Sequence, residues 1–231
     1  MPDLPGFALK DGRVYAVPVG RLWRGFNLYP SGFSRDRFTI YCVVAPLYKP
    51  EGAGAVLPGL GDRLPILAGH GDAWWEWRPG DGEAEAQMMA DILALMVETG
   101  VPFLERLATV GDVARRLARE PDHRSDPHTA EALAYSLILI GEYDRALREL
   151  ALLRQITLED EERAEWWKEL NKGSAAEDEE DWVLTVGKRG AQVQEALERS
   201  PDKAVALLNR WNEEQLAELR LPAKQVGLED N

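Results

Sequence analysis

Acid–base chemistry in this chain would have to start from three histidines, His70, His123 and His128. His70 has the most useful neighbours: in Gly69-His70-Gly71-Asp72 an imidazole stands beside a carboxylate in a glycine-bordered loop, where the acid could orient a base. No Gly-x-Ser-x-Gly elbow or other activated nucleophile accompanies it. His123 and His128 lie five apart in a proline-flanked polar loop, and zinc would need two further ligands that the spacing does not nominate. Cys42 falls in an apolar strand pattern, where a buried thiol is inert. Glu161-Glu162 and the acids of 178–181 sit on polar faces, with nothing apolar beside them to raise a pKa. No metal and no cofactor is expected.

Arginine offers a different chemistry. Arg24 interrupts the apolar row of Leu22, Phe26 and Leu28, where an unpaired charge is costly. It needs a carboxylate or carbonyl partner, with Asp62 and Glu76 as the candidate acids, or it receives an anionic ligand from a cleft. With Arg63 and His70 it defines an enzyme alternative: an anionic small molecule bound by Arg24 and Arg63, with His70 as base. That alternative requires the three side chains to converge on one site. Trp74, Trp75 and Trp77 crowd a short segment that is either a contact patch or packing for the next helix. Candidate binding residues are thus Arg24, Arg63, His70, Trp74 and Trp77. The glycine-rich stretch 51–63 invites a phosphate-cradle reading, but no Gly-Lys-Ser/Thr follows and no helical pattern begins directly after it.

The elements that must position these residues begin with strands. Residues 21–29 alternate, with Leu22, Phe26 and Leu28 on one face and Trp23 and Tyr29 on the other. Phe38 to Val44 is apolar on both faces, which predicts a central strand covered on both sides. Pro30-Ser31-Gly32 and Ser34-Arg35-Asp36 form the loop between them, and Pro46 should end regular pairing. Asp11-Gly12 joins two further short strands as a hairpin. Arg63–Leu67 and Ala73–Arg78 read as two more.

From Glu83 the period becomes helical. Met88, Met89, Ile92, Leu93 and Met96 mark an amphipathic helix capped by Asp81 and ended by Gly100-Val101-Pro102. A short helix over Phe103–Leu107 follows, and Thr109 to Asp112 resembles a capping box that opens another. Helices around Leu133–Ile138 and Tyr143–Leu150 are separated by Gly141 as a helical hairpin. A second capping box is expected at Thr157–Asp160, opening a helix over Thr157–Lys172 with Trp166 and Trp167. Glu177–Asp181 reads as an exposed acidic connection. Ser200-Pro201 begins the last helix, with Leu207, Leu208, Trp211 and Leu216 as its buried stripe.

The run ALAYSLILIGEYDRALREL, Ala132 to Leu150, is similar to one tetratricopeptide repeat. Gly141 to Asp144 stand at its turn and Ala146 where two helices approach; the repeat's usual first-helix tryptophan is missing, and the next 34 residues do not restate the pattern. More loosely, Gly6-Phe7, Arg24-Gly25-Phe26, Pro46-Leu47-Tyr48 and Pro102-Phe103-Leu104 resemble uncharacterised bacterial α+β proteins, which implies no activity.

These elements predict an α+β fold: an antiparallel N-terminal β-meander packed with helices, followed by a mainly helical C-terminal half. Expected units are an α+β domain over 1–120, a helical region over 121–221 and a flexible tail over 222–231. The chain has 231 residues and a net charge of −13. Its first 80 residues hold nine Lys/Arg against seven Asp/Glu, the rest 18 against 33, a balance that disfavours nucleic acid as a partner. A single cysteine suits a reducing compartment. The opening residues lack a secretory signal, and no uninterrupted apolar run approaches membrane-spanning length, so a cytoplasmic protein without membrane contact is expected. The function these readings favour is non-catalytic: a protein-interaction role, as an adaptor or an immunity- or inhibitor-type protein, through an acidic helical surface that suits a basic partner.

Overall fold

The computed structural model describes residues 4–50, 60–71, 73–120, 124–170, 182–221 and 226, and for 159–170 the backbone alone. Strands β1 (Phe7–Lys10), β2 (Arg13–Ala16), β3 (Leu22–Pro30), β4 (Arg37–Pro46) and β5 (Gly61–Arg63) form an antiparallel sheet in sequence order. The two-residue strand β6 (Trp75–Glu76) also pairs with β4, beside Arg37 and Phe38. Asp11 and Gly12 both have positive φ, 50° and 75°, the geometry of the tight turn that matches strand twist. The six-residue loop 31–36 joins β3 to β4, whose pairing runs from Leu22↔Pro46 to Pro30↔Phe38.

Directly paired residues of an antiparallel ladder share a face. One face of this sheet therefore presents Leu22, Arg24, Phe26 and Leu28 of β3 with Ile40, Cys42 and Val44 of β4. The other presents Trp23 with Val43 and Ala45, packed with Tyr15 and with Leu216 near the C-terminus. β4 is covered on both faces, as its unbroken apolar pattern requires. The first face opens into a single large core that continues through the helices, from Leu22 and Phe26 to Leu133, Val193 and Leu208. Residues on both sides of position 120 thus share one apolar cluster.

Leu64–Leu67, expected as strand, is the short helix α1; Pro65 in its first turn supplies the fixed φ a helix start tolerates. Helix α2 (Gly82–Leu95) begins at the expected cap, where the Asp81 carboxylate accepts from the Ala84 amide at 3.1 Å. It does not stop at Gly100. Met96–Gly100 forms a π-helical turn, and the chain continues as α3 (Val101–Glu105). A wider turn accommodates the change of hydrogen-bond register that Pro102, lacking an N–H, imposes. Gly100 is present for contact rather than termination: a Cβ there would lie 2.4 Å from the Phe26 ring. Within Gly82–Glu105 one 18-residue window reaches a mean hydropathy of 1.3, long and apolar enough by length and composition to cross a membrane, although acids such as Asp91 and Glu98 interrupt it and no uninterrupted apolar run is present. It packs on the core through Ile92, Met96 and Leu104.

Helix α4 (Val110–Leu117) opens with the expected capping box, Thr109 and Asp112 each accepting from the other's backbone amide. Asp126 caps α5 (Pro127–Leu139) through the Thr129 amide at 2.9 Å. Gly141, at φ 80°, closes α5, and the Glu142 amide bonds back to the Leu137 carbonyl at 2.9 Å. Helix α6 (Tyr143–Leu170) then runs without a break, so Thr157 opens no new helix. Its hydroxyl instead donates back to the Leu153 and Arg154 carbonyls at 3.0 and 3.1 Å, the usual solution for a threonine inside a helix. The side chains of Trp166 and Trp167 and the acidic run 177–181 lie outside the described residues. Helices α7 (Trp182–Arg199) and α8 (Pro201–Glu218) meet at Ser200, whose hydroxyl caps α8. Of the segment 222–231 only Val226 is described, in a parallel bridge with Val19.

Candidate functional site

Arg24 and Arg63 sit on opposite faces of the sheet. Arg24 pairs with Val44 on the face that joins the large core, whereas Arg63 pairs with Tyr41, whose ring packs on the Trp23 side. The expected acids do not reach Arg24. Its Nη1 donates to the Leu104 carbonyl at 3.2 Å, and burial lowers its pKa against the opposing pull of Glu105. Glu76 pairs at the surface with Arg78, 3.3 Å away, and Asp62 accepts from the Arg63 amide. The Arg63 guanidinium lies 5.4 Å over the Trp74 ring, a cation–π contact that does bring two predicted residues together. His70 is exposed after α1, its amide bonded to the Pro65 carbonyl. Its carboxylate neighbour Asp72 and His123 lie outside the described residues. The three residues of the enzyme alternative are therefore not assembled by the fold into one cleft.

Cys42 behaves as its pattern predicts. It is fully buried, its Sγ approaches the Gly100 carbonyl at 3.6 Å, and burial pushes the thiol pKa well up, so it stays protonated.

A buried ionic cluster went unpredicted. Glu131 has no exposed surface, although it lies in the apolar run of α5. Its carboxylate accepts from Arg189 Nε at 2.7 Å and Nη2 at 2.9 Å, from the Tyr135 hydroxyl at 3.0 Å, and lies 3.6 Å from Lys49 Nζ. Lys49 also meets His128 Nδ1 at 3.4 Å, and the His128 ring stacks on Trp182 with centroids 4.4 Å apart. Nearby, the buried Tyr48 hydroxyl donates to Ser136 Oγ at 2.6 Å, and Ser136 in turn donates to the Ala132 carbonyl. Burial drives the Tyr48 and Tyr135 pKa values up, and the Glu131 charge adds to the rise at Tyr135. Every oxygen of Glu131 is engaged, so the cluster ties the end of β4 to α5 and α7 rather than presenting a reactive group. The signal in the sequence was a glutamate on the apolar face of a helix, which needs a cation somewhere else in the chain.

The second unpredicted feature is a groove at the distal end of the sheet, where the β3–β4 loop lies. Here α2 stands off the sheet. Leu9, Val14, Met89, Ile92 and Met96 line both of two adjoining cavities, of about 640 and 400 Å³. The first extends under β1 and is bounded by apolar side chains such as Phe7 and Leu93. The second reaches the loop, where Arg35, Asp36, Arg37 and Trp77 form its mouth. Beside that mouth Leu28, Tyr29 and Phe33 are exposed, Phe33 completely, and Trp77 remains 43% exposed. The Trp77 amide donates to the Asp36 carbonyl at 2.6 Å, which fixes this segment to the loop. Neither the Arg35 nor the Arg37 guanidinium has an ion pair or hydrogen bond among the described residues. Of the predicted binding residues only Trp77 belongs to this groove; alternation and turn formers marked the strands and loop, but not that α2 would stand away from them.

No protein-family model matches this chain, and no curated protein or solved structure matches it.

Proposed function

We propose that this chain is a non-catalytic protein-interaction protein, of adaptor or inhibitor type, and that the tip of the β3–β4 hairpin is its contact surface. The observation that carries this reading is the set of side chains gathered there: Tyr29, Phe33, Trp77, Arg35 and Arg37, all exposed. Tryptophan, tyrosine and arginine are the residue types in which binding energy at interfaces concentrates. Tyr29, Phe33 and Trp77 are large apolar side chains left exposed around one loop, the kind of surface that a partner can cover. The Arg35 and Arg37 guanidiniums, without partners among the described residues, suit carboxylates on the partner at this tip, whereas the acidic helical surface would suit a basic one elsewhere. The similarity of the run Ala132 to Leu150 to one tetratricopeptide repeat belongs to the same reading, since helical hairpins of that kind present contact surfaces. A reducing, cytoplasmic setting suits the single buried thiol.

The test is a photo-crosslinking amino acid placed at Phe33 in the native host, with one at Glu213 on α8 as the comparison. A single adduct of defined mass from position 33, absent from position 213 and abolished by Tyr29→Ala, is expected. Equal capture from both positions, or none from 33, overturns the reading.

A further inference from the structure

The groove has two unlike ends. Under β1 it is walled by apolar side chains, Phe7, Leu9 and Leu93 among them, whereas at the β3–β4 loop it opens between Arg35 and Arg37, with Asp36 between them. The mouth is thus net positive, and its two guanidiniums lack partners among the described residues. A slot of about 640 Å³ that adjoins one of about 400 Å³ is of the size that small ligands fill, and a mostly apolar wall with a few placed polar groups is their usual lining. A partner's helix fits less well, because α2 already occupies the seat a helix would take on this face. The slot runs across the strands from β1 to β4, roughly 14 Å at about 4.8 Å per strand, which is a length for an extended chain.

We propose that the groove between α2 and the distal sheet binds a single long-chain carboxylate, its hydrocarbon tail along Val14, Met89 and Ile92 toward β1 and its head group at Arg35 and Arg37. Charge complementarity at one end and its absence at the other select the orientation. The tail removes from water the apolar surface of Leu9, Leu28 and Met89, which the protein alone leaves exposed. The head group exchanges solvent for charge-assisted hydrogen bonds from the arginines. The ligand is a monomeric acid from solution, and a membrane as its source is an outcome of the test below. This site shares Arg35, Arg37 and Trp77 with the contact surface proposed above, whereas Tyr29 and Phe33 line neither cavity and belong to that surface alone.

The experiment is calorimetric titration of the full chain with octanoate, decanoate and dodecanoate below their micellar concentrations. One saturable site is expected, tightening about fourfold for each added methylene. Ala90→Trp places a large ring in the slot from an exposed helix position and should abolish binding, with the circular dichroism melt showing that the fold persists. Arg35→Glu with Arg37→Glu should weaken dodecanoate at least tenfold and improve dodecyltrimethylammonium. The proposal is overturned by absence of a saturable site, by equal affinity for the carboxylate and the ammonium amphiphile, by insensitivity to Ala90→Trp, or by sedimentation with phosphatidylglycerol vesicles without monomer binding. Loss of crosslinking at Phe33 with dodecanoate binding intact would instead count against the protein-partner reading alone.

Discussion

The two ends of one sheet face are built from the same kinds of residue and are treated in opposite ways. At the proximal end Leu22, Phe26, Cys42 and Val44 lie under the π-helical turn and α3, and Gly100 passes so close to Phe26 that no side chain fits between them. At the distal end Leu28 stays exposed, although it continues the same face of β3, and so does Leu9 at the sheet edge, which the register places on that face through Val14 and Phe26. An apolar side chain in a strand row is therefore not by itself a core residue. What decides is whether a helix comes down on it, and α2 makes that approach through Ile92 and Met96 while standing away nearer its start. The proximal end carries stability, and the distal end is free to carry binding.

The sharpest way to break this contrast is to attack the cluster that fastens the proximal end of β4 to the helices. Glu131→Ala leaves the buried Lys49 and the largely buried Arg189 without their shared carboxylate, a loss on the order of 3–5 kcal/mol. Urea unfolding followed by far-ultraviolet circular dichroism should show the midpoint falling steeply, while dodecanoate affinity, measured where the variant is still folded, should be unchanged. A change in affinity of the same size would mean that the two ends are not independent.

A direct comparison within the face comes next. Leu104 is buried on α3, so Leu104→Ala should cost about 2–5 kcal/mol. Leu28, on the sheet face itself but more than half exposed, should tolerate alanine within about 0.5 kcal/mol. Equal costs would show that the distal groove is closed in solution. Gly100→Ala tests the close approach itself. Its Cβ would meet two atoms of the Phe26 ring, at 2.4 and 2.8 Å, and overpacking of that kind costs about 1–3 kcal/mol.

Most of the fold was legible because local rules and tertiary outcome agree. The Asp11-Gly12 turn, the doubly apolar β4, the caps at Asp81 and Ser200 and the capping box at Thr109 each follow from chemistry within a few residues. The misreadings occur where a distant partner decides. Gly100 reads as a helix stop, yet its lack of a side chain is used against Phe26, 74 positions earlier. Thr157 followed by acids reads as a cap, yet a helix already running supplies carbonyls for its hydroxyl. The candidate site was less legible still. Arg24 and Arg63 could be placed on strands, but their opposite faces depend on the register of two different ladders. The groove depends on the distance between a helix and a sheet, which no period in the sequence encodes.

The smallest effect concerns α4, which packs behind the proximal end through Val110, Val113 and Leu117. The Thr109 hydroxyl, its backbone amide and Arg115 all hold the Asp112 carboxyl below its ordinary 3.8, against a modest rise from burial. A carboxylate whose folded pKa is depressed contributes stability above the unfolded value, and the contribution is lost as pH falls through the folded one. Asp112→Asn should therefore cost a constant amount, about 1 kcal/mol for a cap interaction, from pH 7 down to about 5. Below 3.8 the gap between wild type and variant should shrink as the wild-type carboxylate takes up its proton. Thr109→Ala, which removes the strongest of the three bonds, should flatten the same pH dependence. A gap that widened in acid would mean that the carboxylate destabilises the helix start it caps, and the local rule that made α4 legible would have been right for the wrong reason.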